Sequence, residues 1–417
     1  MIVPSIDLMN GQAVQLRQGK DRIITADEDP ISLAKRFNRF GELAVIDLDA
    51  ALSKGDNLPL IKQLCSVADV RVGGGIRSVE RAKVLLKAGA KRLIIGTSAT
   101  PEFLTALTSA GIPKPRIMVA LDHKNGMVVD QGWVNNTGEG LLARAKRLKP
   151  YCESFLCTFV NTEGTMAGLP LAEFEQFRSE ISHPVTVAGG IATTEEAVAL
   201  VKRGVDVQVG MALYTGQLNL ADTVVGSLDF EKCPLIPTIV QDTAGQVLML
   251  AYSTQDSLKM ALNEAKGIYF SRSRNTIWVK GATSGHTQAL ICCRVDCDQD
   301  ALLFTVKQTG PACHTGAYSC FGSGLKTPEF SLEKLFETLT TRKENPPEGS
   351  YTAKLFSDPI MLHKKVIEEA FEVAIAPDND NRTWEIADSL FFLCVVAAAN
   401  NIPWSAILSE LGGRHSP

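Results

Sequence analysis

The first 215 residues contain an internal repeat at an offset of 115 positions, and the repeat carries acids and glycines rather than core residues. Its matching segments and glycines are residues 6–11 with 121–126, 72–76 with 187–191, Gly89 with Gly204 and, after a one-residue deletion, Gly96 with Gly210. Each half therefore holds one carboxylate and two glycine turns. Such a duplication predicts a pseudo-symmetric enzyme with two opposed acid/base groups and two phosphate sites.

The size and composition are those of an ordinary multidomain globular protein. The chain has 417 residues, 45% apolar content and a formal net charge of −4, which gives no sign of a nucleic-acid or membrane partner. The N-terminus has no basic segment and places Asp7 in its first apolar run, so we expect no signal peptide. The longest apolar run, 390–399, is too short to span a bilayer. The ten cysteines are then expected to be reduced cytoplasmic thiols or metal ligands.

Short β-branched runs alternate with helical stretches up to about residue 228. Helix-like segments such as 78–88 and 194–203 separate eight candidate strands, at residues 2–7, 43–48, 69–73, 92–96, 116–122, 154–159, 185–188 and 206–210. Eight β/α units, four from each half of the repeat, favour a closed (β/α)8 TIM barrel over a doubly wound open sheet. We place this α/β domain at residues 1–228.

Two further domains are predicted after the barrel. Residues 229–326 are rich in candidate strands, and we expect a β-rich α+β domain with strands at 237–241, 267–271, 276–279, 289–295 and 302–306. Residues 327–417 are expected to form an all-α domain with helices at 331–342, 359–376 and 383–400.

Asp7 ends the first predicted strand and Asp122 ends the fifth. Side chains at the C-terminal ends of barrel strands point into the active-site face, so these two carboxylates should face each other and can act as general base and general acid. A single strand-end aspartate would ordinarily cap the following helix. Two at symmetric positions beside glycine turns favour the catalytic interpretation.

The glycine turns are the candidate phosphate sites, since free N–H groups at a helix start attract phosphate. We assign to the two cradles the residues Gly75, Gly96, Thr97, Gly189, Gly190 and Gly210. Residues 1–228 resemble the phosphoribosylformimino-aminoimidazole carboxamide ribotide isomerases of histidine biosynthesis, through IDLMNG, QLRQG, VGGGIRS, IIGTSA, ALD, GW and EGTMAG. The resemblance implies a cofactor-free Amadori rearrangement. In it Asp122 would protonate the ribose ring oxygen, Asp7 would take the C2 proton and Thr158 would assist, with Arg77 and Trp133 at the substrate.

Several positions depart from the pattern of that family. The family's arginine is replaced by Gln15 and its carboxylate after Thr158 by Phe159, while the usual arginine after Gly210 is Met211. Thr162-Glu163 occupies the positions of an Arg-Asp pair in that family, and Ala188 occupies the position of a serine. A second interpretation is therefore a barrel that serves as an inactive scaffold or binding module on a bifunctional hydrolase.

A cysteine and aspartate cluster marks the middle domain. Cys297, Cys313 and Cys320 lie among polar turn residues, and three thiolates leave a zinc tetrahedron with one open position, as in catalytic sites. Asp296, Asp298 and Asp300 occupy alternate positions around Cys297 and Gln299 and offer hard oxygen ligands suited to Mg²⁺. An EF-hand is excluded, because its sixth and twelfth positions would be Ala301 and Lys307.

Residues 234–322 resemble phosphoribosyl-AMP cyclohydrolase, through IVQD, VLMLAY, YFSRSRNTIWVKG, TSG, DCDQD and GPACHTGAYSCFG. The resemblance implies opening of the adenine ring by zinc hydroxide, with the three cysteines binding zinc and the three aspartates magnesium. Arg274, Lys280 and His314 would serve substrate binding or proton transfer. The family forms its site between two subunits, which implies a homodimer. Ala282 replaces the glutamate of the family's Gly-Glu-Thr-Ser-Gly-Asn segment.

Acidic residues on two predicted helices form the third candidate site, and they are Glu368, Glu369, Glu372, Glu385 and Asp388. Their i, i+3 and i+4 spacings place the carboxylates of each helix on one face. Exposed glutamates near lysines are ordinarily solvated surface. Glu385 and Asp388, however, interrupt an apolar stretch, where acids need a metal or cationic partner. Paired across two helices, these acids could hold Mg²⁺ against a triphosphate.

Residues 331–415 resemble phosphoribosyl-ATP pyrophosphohydrolase through SYTAKL, KVIEE and AD. This implies metal-dependent release of pyrophosphate, with Lys354 and Lys365 at the substrate. The three resemblances belong to consecutive steps of histidine biosynthesis, in reversed chain order. Together they predict a cytoplasmic trifunctional enzyme that acts on phosphoribosylated adenine nucleotides and phosphoribosyl imidazole intermediates, with Zn²⁺ and Mg²⁺ and no organic cofactor.

Overall fold

The computed structural model describes residues 1–19, 21–322 and 331–415. Contacts group the chain into two compact units, one of residues 1–323 with 413–417 and the other of residues 324–412. The predicted boundary at residues 326 and 327 lies outside the described residues. The predicted boundary at residue 228 falls inside the first unit and stays a prediction.

Twelve strands are described in the N-terminal region: β1 (Ile2–Met9), β2 (Gln12–Arg17), β3 (Asp21–Thr25), β4 (Leu43–Asp47), β5 (Val70–Gly73), β6 (Arg92–Ile95), β7 (Ile117–Lys124), β8 (Met127–Asp130), β9 (Asn135–Gly140), β10 (Ser154–Phe159), β11 (Val185–Ala188) and β12 (Asp206–Val209). Eight of them are parallel and close in the order β1-β4-β5-β6-β7-β10-β11-β12, with β12 returning to β1. The predicted barrel is confirmed.

The barrel helices are α1 (Pro30–Asn38), α2 (Leu48–Ala51), α3 (Leu58–Val67), α4 (Val79–Lys87), α5 (Pro101–Ser109), α6 (Leu141–Leu148), α7 (Leu171–Glu180), α8 (Thr194–Lys202), α9 (Met211–Tyr214) and α10 (Leu220–Ser227), with 3-10 turns at Lys114–Arg116 and Lys149–Tyr151. The sequence repeat also gives helices α4 and α8 equivalent first residues. Ser78 accepts from the N–H of Arg81, and Thr193, which is 115 positions later, accepts from the N–H of Glu196. Both halves thus begin the equivalent helix with the same N-cap, which satisfies one otherwise free N–H group.

The sequence did not predict the excursions that follow β1 and β7. Strands β2 and β3 extend antiparallel from β1, and β8 and β9 extend from β7. Each excursion begins just beyond a predicted catalytic aspartate, so both place extra backbone at the C-terminal face of the barrel.

The middle domain contains β13 (Ile236–Asp242), β14 (Val247–Ser253), α11 (Gln255–Glu264), β15 (Ile268–Ser271), β16 (Thr276–Val279), β17 (Gln288–Val295) and β18 (Leu302–Gln308). Four strands form a sheet in the order β14-β13-β18-β17, and β15 pairs with β16. The five predicted strands are present, and β14 and α11 were not predicted.

The base of the barrel packs directly against the middle domain. The Arg39 guanidinium donates to the carbonyl oxygen of Leu262 at 2.8 Å, and the N–H of Cys293 in β17 donates to the carbonyl oxygen of Arg39 at 2.8 Å. Lys259 pairs with Asp222 at 2.6 Å. Buried apolar residues of both domains belong to one continuous cluster, so the two domains share a core.

The second unit is helical, with α12 (Leu332–Glu344), α13 (Tyr351–Ser357), α14 (Pro359–Ile375), α15 (Asn379–Ala399) and α16 (Trp404–His415). Leu339, Leu355, Leu362 and Phe392 form the centre of its core. The three predicted helices are present. Helix α15 begins four residues earlier than predicted, because Asp378 caps it through the N–H of Asn381. Within the described residues, we find no helix whose length and hydropathy would let it cross a membrane.

Candidate active sites

The C-terminal face of the barrel holds a cavity of about 250 Å³ lined by Asp7, Asp122 and Thr158. Asp7 accepts a hydrogen bond from the Ser5 hydroxyl at 3.0 Å. Asp122 accepts one from the Trp133 indole N–H at 2.8 Å and another from the Thr158 hydroxyl. Thr158 reaches it because the two residues are register partners on β10 and β7. The structure therefore brings the predicted acid/base pair and its predicted assistant into one cavity.

Burial alters the protonation of these carboxyls. Burial raises the pKa of Asp7 to about 6, although the Ser5 hydrogen bond lowers it in part. Burial also raises the pKa of Asp122, against the opposing hydrogen bonds from Trp133 and Thr158. At neutral pH, Asp7 is mostly ionised and is a stronger base than an ordinary carboxylate, which suits proton abstraction.

A third carboxyl, Glu163, lines the same cavity. Its pKa is raised to about 8, first by burial and then by the charges of Asp7 and Asp122, so it keeps its proton at neutral pH. The sequence analysis noted Glu163 only as a departure and did not assign it to the site. Its place five residues after Thr158, in the loop beyond a strand end, is the signal that could have identified it.

All the predicted phosphate and substrate residues of the barrel line this cavity, namely Gly75, Arg77, Gly96, Thr97, Trp133, Gly189, Gly190 and Gly210. The two glycine turns are sterically required. A Cβ at Gly74 would lie 2.2 Å from the carbonyl oxygen of Asp47, and one at Gly189 would lie 2.5 Å from that of Phe159. Both glycines have positive φ, at 96° and 101°, so another residue would also be strained.

The helices do not begin at these glycines. Helix α4 starts at Val79 and α8 at Thr194, because three residues separate each glycine pair from its helix and the last of them is the N-cap. The guanidinium of Arg77, in one of these connections, donates to the carbonyl oxygens of Ala50 and Ala51 and thereby fixes the loop.

The departures from the family pattern fall in two environments. Gln15 and Met211 line the cavity, where the Gln15 amide donates to the carbonyl oxygen of Val14 at 2.9 Å. Phe159 instead packs outside the cavity against the edge of His123, with ring centroids 4.4 Å apart. Phe159 also packs against Phe174 of α7, with ring centroids 6.4 Å apart, so its replacement of a carboxylate changes packing between strand and helix. Gln15 and Met211 change the lining of the cavity.

In the middle domain, Cys313 and Cys320 lie together, and Cys297 lies apart from them. The pKa of Cys313 is lowered by the Thr315 hydroxyl, whose oxygen is 3.1 Å from Sγ, and by contact with Cys320. The pKa of Cys320 is raised by burial and by the Cys313 thiol. The loop that carries both is held by the Tyr318 hydroxyl, which donates to Asp242 at 2.9 Å. Among the described residues, the three thiols do not converge within one chain.

Three other predicted residues lie near this thiol pair or on the β15–β16 hairpin. Burial lowers the pKa of Lys280, and the charges of Cys320 and Cys313 raise it in part. The His314 ring nitrogen lies 3.8 Å from the Cys313 sulfur. Arg274 donates to the Ser271 hydroxyl at 3.1 Å and lies over the Trp278 ring. A cationic, aromatic surface thus adjoins the thiol pair.

The predicted aspartate trio converges, since Asp296, Asp298 and Asp300 each bring one oxygen within 4.8 Å of the others. Burial raises the pKa of Asp296, but N–H donors of Ala301 and Asp300 outweigh it, so that pKa is lowered overall. The pKa of Asp300 is raised, chiefly by the Asp298 charge. The three exposed carboxylates therefore repel one another.

In the helical unit, Glu369 on α14 converges with Glu385 and Asp388 on α15, with their oxygens within 4.8 Å of one another. Burial raises the pKa of Glu385, and the charge of Glu372 raises it further, so Glu372 adjoins the trio. Lys365 pairs with Glu368 at 2.9 Å on a more exposed face, and with Glu369 of the trio at 3.4 Å. Lys354 on α13 is exposed.

Comparison with known proteins agrees with this geometry. The chain matches the family model described as histidine biosynthesis protein over residues 1–219, phosphoribosyl-AMP cyclohydrolase over 249–322 and phosphoribosyl-ATP pyrophosphohydrolase over 332–415. The histidine biosynthesis bifunctional protein HisIE of Caldanaerobacter subterraneus subsp. tengcongensis is 46% identical over 200 residues, which cover 46% of this chain and 98% of that protein. The Bacillus subtilis HisIE is 42% identical over 45% of this chain and 95% of its own length. The histidine biosynthesis trifunctional protein of Kluyveromyces lactis is 42% identical over 43% of this chain and 22% of its own length.

A closed (β/α)8 barrel with opposed carboxyls, joined to a thiol-bearing β-rich domain and a helical domain with clustered acids, defines a multifunctional enzyme. The chain belongs to the histidine biosynthesis protein family. It is a fusion of isomerase, cyclohydrolase and pyrophosphohydrolase domains, which act on phosphoribosylated intermediates of that pathway.

Proposed function

We propose that the chain catalyses three consecutive steps. Phosphoribosyl-ATP is hydrolysed to phosphoribosyl-AMP and pyrophosphate, the adenine ring is opened by zinc-dependent hydrolysis, and the resulting formimino aminoaldose is isomerised to the aminoketose. The observation that carries the proposal is the convergence of Asp7, Asp122 and Glu163 in one cavity between two registered glycine turns. The C-terminal half of the same chain matches the families of the two hydrolases that precede the isomerase step.

In the isomerase step, Asp122 donates a proton to the ribose ring oxygen and Asp7 removes the C2 proton. The raised pKa of Asp7 supports its role as base, and the hydrogen bond from Trp133 fixes the orientation of Asp122. The two glycine turns, each three residues before a helix, would hold the terminal phosphates through backbone N–H groups. Glu163 remains protonated beside the pair, which limits the negative charge in a cavity that must accept a bisphosphorylated substrate.

The donor set of the middle domain fits zinc, because Cys313 and Cys320 form a thiol pair and the Cys313 thiol is already biased toward the thiolate. Cys297 of a second copy would supply the third thiolate, since one chain does not bring it to the pair. This arrangement supports a homodimer. Zinc at such a site supplies an activated water near neutral pH. Lys280 and His314 beside the thiols then bind the substrate and move protons.

The two carboxylate trios fit magnesium, which prefers oxygen ligands. Asp296, Asp298 and Asp300 would hold it in the cyclohydrolase domain. Glu369, Glu385 and Asp388, with Glu372 adjoining, would hold it in the pyrophosphohydrolase domain, where magnesium supplies neutralisation of the triphosphate charge. Lys365 and Lys354 lie on neighbouring helices as candidate phosphate contacts. The ten cysteines are free, which fits the reducing cytoplasm that we propose as the location.

The test is to supply the purified full chain with phosphoribosyl-ATP, Zn²⁺ and Mg²⁺ and to identify the end product by mass and chromatography. We expect the aminoketose isomer together with one equivalent of pyrophosphate. Accumulation of the formimino aminoaldose by the unmutated chain would favour the alternative of an inactive barrel. Failure to release pyrophosphate or to open the ring would contradict the hydrolase assignments.

A further inference from the structure

The internal repeat allows the two glycine turns of the barrel cavity to be compared position by position. Residues 74–77 form the first cradle and residues 189–192 the second, and Gly-Gly-Ile begins both. Their backbones are equivalent as well, since Gly74 and Gly189 have φ angles of 96° and 101°. Differences in anion binding between the cradles must therefore come from the side chains around them.

The first difference is a cation at the last position of each cradle, where Arg77 corresponds to Ala192. Arg77 is the one cation in the described lining of the cavity. Its guanidinium donates to uncharged oxygens of Ala50, Ala51 and Ser53, so within the described part of the chain its charge is not paired with a carboxylate. The first cradle thus has a positive charge available to an anion, and the second has a methyl group.

The second difference lies in the third residue of the following helix, which is Arg81 in α4 and Glu196 in α8. The Glu196 carboxylate accepts a hydrogen bond from the N–H of Ala192 at 3.0 Å. Arg81 instead donates to Asp56 at 2.7 Å, and the N–H of Arg77 has no acceptor among the described residues. A phosphate in the second cradle would compete with a carboxylate for one N–H group and would be repelled by its charge.

The third difference is at the ends of the neighbouring strands β6 and β12, where Thr97 follows Gly96 and Met211 follows Gly210. Both side chains line the cavity. The Thr97 hydroxyl oxygen accepts from the N–H of Gln131 at 3.2 Å, which leaves its own O–H to donate to a ligand. The thioether of Met211 has no proton to donate. All three differences favour an anion in the first cradle.

We propose that the two cradles bind phosphate unequally, so that the first cradle is the principal anion site of the barrel and the second holds its phosphate weakly. This inference rests on the proposed isomerase function, and it assigns most of the phosphate affinity to one end of the bisphosphorylated substrate. A guanidinium forms strong charge-assisted hydrogen bonds with phosphate. A ligand with a single phosphate group therefore fills the first cradle in preference to the second.

The experiment measures isomerase kinetics of the full chain and their competitive inhibition by inorganic phosphate. Arg77→Ala should raise both the KM for the formimino aminoaldose and the Ki for phosphate by at least about tenfold, as expected for loss of a charge-assisted contact. Glu196→Gln should lower that KM by about threefold or more, because it removes a negative charge and keeps an acceptor oxygen for the Ala192 N–H. The phosphate Ki of Glu196→Gln should stay within about twofold, since phosphate occupies the other cradle.

Matched variants separate charge from loop structure. Arg77→Lys keeps the charge and should hold KM and Ki within about threefold. Arg116→Ala removes an arginine that also donates to backbone carbonyl oxygens but does not line the cavity, and Glu195→Gln removes the exposed neighbour of Glu196. Neither should change KM or Ki.

A further variant guards against an effect of Glu196→Gln on folding. Ala192→Arg gives the second cradle the cation of the first while Glu196 stays in place, and KM should fall by about threefold or more. Calorimetric titration of the aminoketose product into the metal-free full chain should give the same order of Kd values for all variants without turnover.

If the unmutated chain does not isomerise the aminoaldose, the proposed function is wrong, and the calorimetric Kd values alone decide between equal and unequal cradles. An unchanged Ki in Arg77→Ala would overturn the inference and leave the isomerase assignment intact. So would equal losses in Arg77→Ala and Arg77→Lys, which would show that the arginine only fixes the loop, or a KM that falls in neither Glu196→Gln nor Ala192→Arg.

Discussion

Glu163→Gln should stabilise the barrel in a strongly pH-dependent way. The folded protein holds the Glu163 pKa at about 8, against an ordinary value of 4.5. Between these two values the folded state keeps a proton that the unfolded chain has released, so stability falls as pH rises through this window and is constant above it. At 1.36 kcal/mol per pKa unit, the full cost approaches about 5 kcal/mol above the folded pKa, as an upper bound because water and side chains relax.

The glutamine has nearly the same shape and no charge, so it removes the titration and leaves the packing. The two proteins should have similar free energies of unfolding at about pH 5, and the variant should be more stable by several kcal/mol at about pH 9. Urea unfolding across this range measures the difference, followed by Trp133 fluorescence at the barrel mouth in full chains whose other three tryptophans are replaced by phenylalanine. Glu195→Gln, at an exposed position on α8, is the control and should show no such divergence. Parallel pH dependence for Glu163→Gln and the unmutated chain would refute a buried, protonated Glu163.

Three other predictions address the barrel cavity and the thiol pair. Asp7→Asn should lower isomerase turnover by about 10²–10⁴-fold and leave pyrophosphate release intact, so that the formimino intermediate accumulates; full turnover would remove Asp7 from the mechanism. In the unmutated chain, isomerase kcat/KM should rise with pH through about 6, because the base must be ionised above its raised pKa; a rate that is flat from about pH 5 to 7 would contradict this. Cys320→Ser replaces a thiolate by a poor zinc ligand, so bound zinc measured by elemental analysis and ring opening should fall while pyrophosphate release persists; zinc retained in this variant would argue against the thiol site.

Glycine and aspartate positions made the barrel predictable, because a closed parallel barrel imposes the same strand-end geometry on both halves of a duplicated sequence. The N-cap residues Ser78 and Thr193 show this directly, since each begins the equivalent helix. The excursions β2–β3 and β8–β9 were not predicted, because their short runs carry no repeat and mix apolar with polar positions. Strand β14 was missed for a related reason: Leu250 is 49% exposed, so its apolar residues occupy both faces and hide the alternation.

The site residues were predictable where chemistry and strand position coincide, as at Asp7, Asp122 and Thr158. Two features depend on the folded chain alone. The protonation of Glu163 arises from burial beside two other carboxyls, and no local pattern encodes that proximity. The separation of Cys297 from the Cys313–Cys320 pair arises from the sheet, because β18 intervenes between Cys297 and the loop that carries the other two. Spacing along the chain therefore identified all three thiols but could not show that one chain fails to assemble them.

The hydrogen bond from the Cys293 N–H to the Arg39 carbonyl oxygen also protects an outer strand of the middle-domain sheet from pairing with another chain. Strand β17 is an outer strand, and its free backbone groups would offer a template for pairing with another chain. The segment 265–267 covers its first half through the Leu290 and Gly267 N–H groups, and the barrel covers its second half through Arg39. The fused barrel thus occupies backbone groups of this edge that would otherwise be free to pair with another chain. Removing residues 1–228 should expose the second half of β17 and make the remaining chain more prone to aggregate, even where both hydrolytic sites stay intact.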